Sequence, residues 1–180
     1  MTEYQANSIS YLNFDITKGE EKIGNLSYRK WYPFDATFEI AGNHSFTVET
    51  KGKWNTIIEV KDDDDEYFKL DLNWNGDIVI QAMRKDFQSD RNESSQSHDA
   101  PKQAYLFKSK GFFQDKFIFI DQEGSELLTM KPVMKWKILH YQYHIQTSED
   151  FESLEQRELL LFIALISANY YMWTVVSSMG

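Results

Sequence analysis

The residues of this chain whose types and spacing could do chemistry fall in one short stretch. Lys131, Lys135 and Lys137 are followed closely by His140 and His144. On a strand, period two puts Lys135 and Lys137 on the same face, where paired ammonium groups can meet a phosphate, with Lys131 close by. The ordinary role of such lysines is to form the solvent face of a strand. His140 and His144 would be a common metal pair on a helix. Tyr141, Tyr143 and Ile145 argue instead for a strand. There the two imidazoles stand about 13 Å apart and cannot share a metal unaided. His44 follows Gly42 and Asn43 in a turn, and His98 lies in a polar stretch, neither with an evident partner. No Gly-x-Ser-x-Gly elbow and no phosphate-cradling glycine loop occurs. Catalytic, cofactor-binding and metal-binding residues are therefore not assigned, no cofactor is expected, and the expectation is a protein that is not an enzyme. Lys131, Lys135 and Lys137 remain as candidate contacts for an anionic ligand.

The elements that would position them are strands. Ala36, Phe38 and Ile40 alternate with Thr37 and Glu39; Phe46 and Val48 with Ser45, Thr47 and Glu49. Trp54, Thr56, Ile58 and Val60 alternate with Asn55, Glu59 and Lys61, and Phe68, Leu70 and Leu72 with Tyr67, Lys69 and Asp71. Period two with one apolar face marks an antiparallel sheet wetted on one side. Asn75-Gly76 is a hairpin signal between Leu72 and Ile78, and Gly42-Asn43 and Glu123-Gly124 supply further turns. The run Asp62 to Asp65 separates two strands as a solvated, self-repelling turn. It lacks the spaced ligands and the glycine of a calcium loop. Further strands are expected at 105–108, 116–121 and 127–131. Another is expected at 135–145, where the apolar phase slips near Ile138 and a bulge would account for the slip. Turn signals this dense favour a meander, sandwich or barrel over βαβ units.

The chain has 180 residues and 16% aromatics, and is expected to form a single domain over 1–180. Residues 84–103 read as a polar, mobile loop. The net charge of −9 opposes nucleic-acid binding and general adhesion to anionic membranes, though a local basic patch can override the total. With no cysteine there is no disulfide framework and no thiolate chemistry. Met1 to Asn7 lacks the basic start and apolar run of a signal peptide, so a cytoplasmic protein is expected.

From Leu159 to Ser178 no charge occurs, and fifteen of the twenty residues are apolar. Thr147 to Asp150 offers capping residues ahead of it. A helix of that length spans about 30 Å, enough to cross a bilayer. A tail-anchored protein with this helix in the membrane is thus one reading. Asn169 at mid-depth and the lack of basic residues after the span weigh against it. A helix apolar on all sides is buried in lipid or in protein. The strands also need cover for their apolar face. The expectation is therefore an antiparallel β-barrel of about ten to twelve strands enclosing a hydrophobic C-terminal helix over 155–178.

The halves of the strand region echo each other. Gly42 stands twelve residues before Trp54, and Gly124 twelve before Trp136, with Lys53 and Lys135 preceding the tryptophans. At the same offset Phe38 matches Ile120, Phe46 matches Leu128 and Thr47 matches Thr129.

The order of elements resembles the tubby C-terminal-like superfamily, which includes tubby domains, LURP-one-related proteins and phospholipid scramblases. The likeness runs from about Ser8 to Ser178. It is carried by units such as Lys116 to Gly124, which look like "strand, Asp-x-x-Gly, strand", and by the closing helix. The resemblance implies a barrel of roughly twelve strands with the helix threaded through it. It also implies a binding or scaffold role, with an anionic-lipid or phosphoinositide headgroup or a protein as partner. The tubby pattern of two basic residues two apart on one strand is matched here by Lys135 and Lys137. Scramblase-like activity is not implied: no cysteine-rich segment is present, and Asp62 to Asp65 is unlike a spaced calcium loop. A monomer, peripheral to a membrane if it meets one, is the expected state.

Overall fold

Twelve strands succeed one another along the chain: β1 (Thr2–Ser10), β2 (Asn13–Lys18), β3 (Glu21–Tyr28), β4 (Ala36–Ile40), β5 (His44–Lys51), β6 (Ile57–Asp62), β7 (Asp65–Leu72), β8 (Ile78–Ala82), β9 (Ala104–Lys110), β10 (Lys116–Ile120), β11 (Glu126–Lys135) and β12 (His140–Thr147). A helical turn α1 (Glu149–Glu152) and a long helix α2 (Arg157–Ser178) complete the chain. The computed structural model describes residues 1–10, 13–29, 35–42, 44–51, 57–62, 65–73, 76–83, 103–111, 115–135 and 140–178. Their side chains are described except at 134–135, 140–141 and 174–178.

Each strand pairs antiparallel with the next, and β12 returns to β1 with Tyr4 opposite Ile145, closing an up-and-down barrel. Closure leaves no open sheet edge. The alternation expected from the sequence sets the two faces. Phe38, Phe46, Val48, Val60, Phe68, Leu70, Ile78 and Ile80 are buried inward, while Glu39, Ser45 and Glu49 face out.

Twelve strands make a barrel too wide for its own side chains to fill. At about 4.8 Å between strands and a tilt near 40°, the radius is roughly 12 Å. That leaves room for one helix, whose diameter with side chains is about 10–12 Å. α2 occupies it. Every residue from Leu159 to Ala168 is buried. Phe162 stacks on Phe38 with centroids 4.9 Å apart, and Phe38 stacks on Phe46 at 4.9 Å. Farther along, Tyr171 lies 6.0 Å from Phe107 and 5.7 Å from Phe117. Its hydroxyl donates to the Gly76 carbonyl in the β7–β8 turn. A helix apolar all round meets an apolar wall all round.

One polar group fixes how α2 sits. The Tyr143 hydroxyl donates to Asn169 Oδ1 at 2.8 Å, and Asn169 Nδ2 donates to the Tyr28 hydroxyl at 3.0 Å. Burial pushes the Tyr28 hydroxyl well above the usual phenol range, with the Asn169 bond working the other way. Replacing Asn169 by Ala removes both hydrogen bonds, and about 1–3 kcal/mol should be lost in urea unfolding. The triple change Asn169→Ala, Tyr28→Phe, Tyr143→Phe removes the hydroxyls that bonded Asn169 as well and should recover part of that loss. Equal stability of the single and triple variants would show that the bonds contribute nothing.

Several expectations change. The segment 135–145 is not one bulged strand. β11 ends at Lys135, β12 begins at His140, and the two face each other across a hairpin. The residues of the apolar slip, 136–139, lie between the two strands and outside the described residues. The cap at Ser148, which accepts from the Phe151 amide at 3.1 Å, belongs to α1 and not to the long helix. α2 starts at Arg157, two residues later than the sequence suggested. α1 plugs one barrel end: Glu152 accepts from Thr147 Oγ1 at 2.5 Å and from the Tyr4 hydroxyl at 3.1 Å. Burial, and then Glu152, push Tyr4 up to about 12. The strands β1 to β3 add three elements that the alternation analysis did not place.

The echo between halves has a structural counterpart. The β4–β5 and β10–β11 hairpins both turn through glycines with positive φ, 115° at Gly42 and 89° at Gly124. The Asp121 carboxylate receives the Glu123 and Ser125 amides at 2.9 and 2.8 Å, which shapes the second turn. Phe46 and Leu128 both point inward. The inward partner of Leu128 is Phe119, however, where Phe46 has Phe38. A bulge between Phe119 and Ile120 shifts the correspondence by one residue and leaves Ile120 half-buried. Trp54, Trp136 and residues 84–102, where a polar, mobile loop is expected, lie outside the described residues.

Candidate functional site

The candidate lysines belong to the outer wall of the barrel where β9 to β12 run side by side. Inward positions are set by Phe117, Met130, Tyr143 and Ile145, all buried. Period two then turns Lys116, Lys131 and His144 to the outside. Lys131 and His144 are exposed and Lys116 is partly so.

The register brings these residues into one lateral row. Lys110 on β9 faces Lys116 on β10. Phe117 faces Met130, so Lys116 and Lys131 stand at the next step along their strands. Lys131 on β11 faces His144 on β12, and His144 faces Gln5 on β1. With strands about 4.8 Å apart, four cationic or protonatable side chains are presented over roughly 15 Å of wall. Farther along the same hairpin Lys135 faces His140. Lys137, expected on the same face as Lys135, lies outside the described residues.

Directly opposed like charges destabilise a sheet. Elsewhere on this barrel each lysine whose side chain is described is answered by a carboxylate. Lys22 meets Asp15 at 2.8 Å, Lys51 meets Glu59 at 2.6 Å, Lys61 meets Glu49 at 3.0 Å and Lys108 meets Asp77 at 3.3 Å. Lys18 and Lys69 have longer pairs, each 3.8 Å, with Glu152 and Asp71. Within the row, Glu126 serves both Lys110 at 3.0 Å and Lys116 at 3.9 Å. The Lys110 hydrogen bond holds the Glu126 carboxyl below its usual range, against some loss of solvation. Lys131 makes no ion pair among the described residues. Of the lysines whose side chains are described, it alone is unanswered, in a chain with nine more acidic than basic residues.

The opposite treatment is visible on β5 to β7. Glu59 is 6% exposed on the outer wall, opposite Lys69 and in contact with Lys51 and Lys61. Burial raises its carboxyl, but the hydrogen bonds from Lys51, Glu66 and Lys61 outweigh that and hold it below the usual range. Glu66 is pushed up by burial and then by sharing a hydrogen bond with Glu59. That wall is neutralised internally and offers little to a ligand.

The hairpin of β11 and β12 also overhangs its neighbours. The β10–β11 ladder stops at Phe117 and Met130, and the β1–β12 ladder at Asn7 and Gln142, while β11 and β12 stay paired to Lys135 and His140. Pro132, which has no N–H to donate, sits just past the last pair with β10, where nothing is asked of it on that side. Val133 on this overhang is 37% exposed, and Ile9 at the nearby end of β1 is 61% exposed.

The sequence pointed to Lys131 and Lys135 but not to their pairing with His144 and His140. Read as one strand, 135–145 sets lysines and histidines end to end instead of side by side. A hairpin reading of the phase slip would have paired them. No group of three or more His, Asp or Glu side chains among the described residues could hold a metal. No helix of the described residues is long and apolar enough to cross a membrane. No protein-family model, curated protein or solved structure matches this chain.

Proposed function

We propose that this chain is a non-enzymatic binding protein of tubby-like architecture. In this reading it docks on anionic membrane surfaces through the outer wall of β9 to β12. It works as a cytoplasmic monomer, peripheral to the membrane. The observation that carries the reading is the unanswered Lys131 within a row of cations. A binding site for phosphate differs from an ordinary wet strand in leaving charge uncompensated. The wall is convex and the interior is filled by α2, which suits an extended charged surface better than an enclosed small molecule. Exposed Val133 and Ile9 beside the cations fit a lipid interface, where apolar side chains enter and lysines stay at headgroup level. The net charge of −9 does not forbid this, because at physiological salt charges beyond about 8 Å are largely screened. The barrel lining already covers the apolar residues of α2, which argues against the tail-anchored alternative.

The test is co-sedimentation with phosphatidylcholine vesicles with and without phosphatidylserine. The parent should bind the anionic vesicles alone. A lysine near such a surface contributes about 1 kcal/mol, so Lys131→Ala should weaken binding about fivefold. Lys135→Ala with Lys137→Ala should weaken it further. A parent that stays in the supernatant, or a Lys131→Ala variant that binds as well as the parent, would sink the proposal.

A further inference from the structure

We infer that His144 makes this binding depend on pH: the wall engages an anionic membrane more strongly once the imidazole carries a proton. The inference rests on the reading just proposed. His144 is exposed, stands directly opposite Lys131, and bonds to no carboxylate among the described residues. Imidazole is the side chain whose charge ordinarily changes between about pH 5 and 8.

The charged and polar surroundings of His144 can be named element by element. From β11 it meets Lys131, and from β1 it meets Gln5. Gln5 accepts from Gln142 Nε2 at 3.4 Å, so it is already engaged. Glu3 on β1 lies diagonally beyond and accepts from Gln146 at 3.2 Å. On β12 itself His140 is four residues away, about 13 Å along the strand. From β10 and β9, past Lys131, come Lys116 and Lys110, both held to Glu126. No carboxylate stands directly opposite His144 on either neighbouring strand, and its one directly opposed charge is a lysine. A proton on His144 therefore places two cations side by side, with no carboxylate among the described residues directly opposite to bridge them. A lipid phosphate can bridge them. Proton uptake and anion binding then favour each other, and by linkage the coupling is reciprocal.

The experiment uses the full chain and phosphatidylcholine vesicles with or without phosphatidylserine, at about pH 5 and about pH 8, the two ends of the imidazole range. Parent protein should bind anionic vesicles about fivefold more tightly at the acid pH, the contribution of one added cation. His144→Gln should lose that increment. His144→Lys should bind tightly at both pH values. The position is exposed, so the thermal melt of His144→Gln should match the parent, and His144→Lys should melt only slightly lower, since it sets a second lysine opposite Lys131. Equal parent binding at the two pH values would overturn the inference and leave the membrane reading standing. So would a His144→Gln variant that keeps the whole increment. A parent that binds at neither pH removes the membrane reading along with it. Calorimetric binding of inorganic pyrophosphate without vesicle binding would move the phosphate source from lipid to solution and overturn the membrane part.

Discussion

Expressed without detergent, the chain ending at Glu158 should aggregate, while the full chain stays in solution and melts cooperatively. α2 is the filling of the barrel and not an appendage. Leu159, Leu160, Leu161, Phe162, Ile163, Leu165 and Ile166 are buried in turn, and each contributes about 1.5–3 kcal/mol by leaving water. Their combined burial is comparable to or larger than the whole net stability of a domain, about 5–15 kcal/mol. Without α2 the inward faces of twelve strands would surround a space too wide for their side chains to close. Phe38, Phe107 and Phe117 would lose the rings that cover them. Exposed inward aromatics on loosened strands are the ordinary route to aggregation. A truncated chain that stays soluble and unfolds cooperatively would mean that the barrel stands with an empty interior. The membrane-anchor reading of the helix would then regain its place.

What the sequence could and could not reveal follows from the range of each interaction. The period-two pattern at Phe68, Leu70 and Leu72 is local, and it gave the strand and its inward face directly. Asp62 to Asp65 was legible as a turn for the same reason: Asp62 and Asp65 pair across it. The burial of α2 was legible because a charge-free run has few places to go. The N-terminal strands were harder. In β1, Tyr4 and Ala6 point inward among Gln5, Asn7 and Ser8, an apolar face too thin to stand out until β12 is laid beside it. The candidate site fails in the same way. Lys131 and His144 are thirteen residues apart and become neighbours only through the β11–β12 register. That Lys131 lacks a carboxylate among the described residues while Lys116 shares one depends on Glu126 reaching back across β10, which no spacing rule contains.

The register of α2 inside the barrel should show itself most sharply at Phe162 and Gly24. Phe162→Ala removes a ring stacked on Phe38 from a fully buried position and should cost about 3–5 kcal/mol. For a domain of this size that is a fall in melting temperature of roughly 10 °C. Gly24 lies on β3 beneath the same ring. A methyl group there would overlap the Glu39 carbonyl oxygen of β4 and come within 2.9 Å of Phe162 Cζ. Gly24→Ala should therefore destabilise by about 1–3 kcal/mol or more, as overpacking does. The two substitutions look like a lock and its relief, with the smaller helix residue making room for the larger strand residue. The nearer obstacle is backbone, however, and trimming the ring does not move it. The double variant should consequently be about as unstable as the sum of the two single ones, with a coupling below about 0.5 kcal/mol. A strong rescue of Gly24→Ala by Phe162→Ala would place the conflict in the ring. The strand would then have room to shift away from Glu39, and close contact with α2, more than the ladder between β3 and β4, would require glycine at that position.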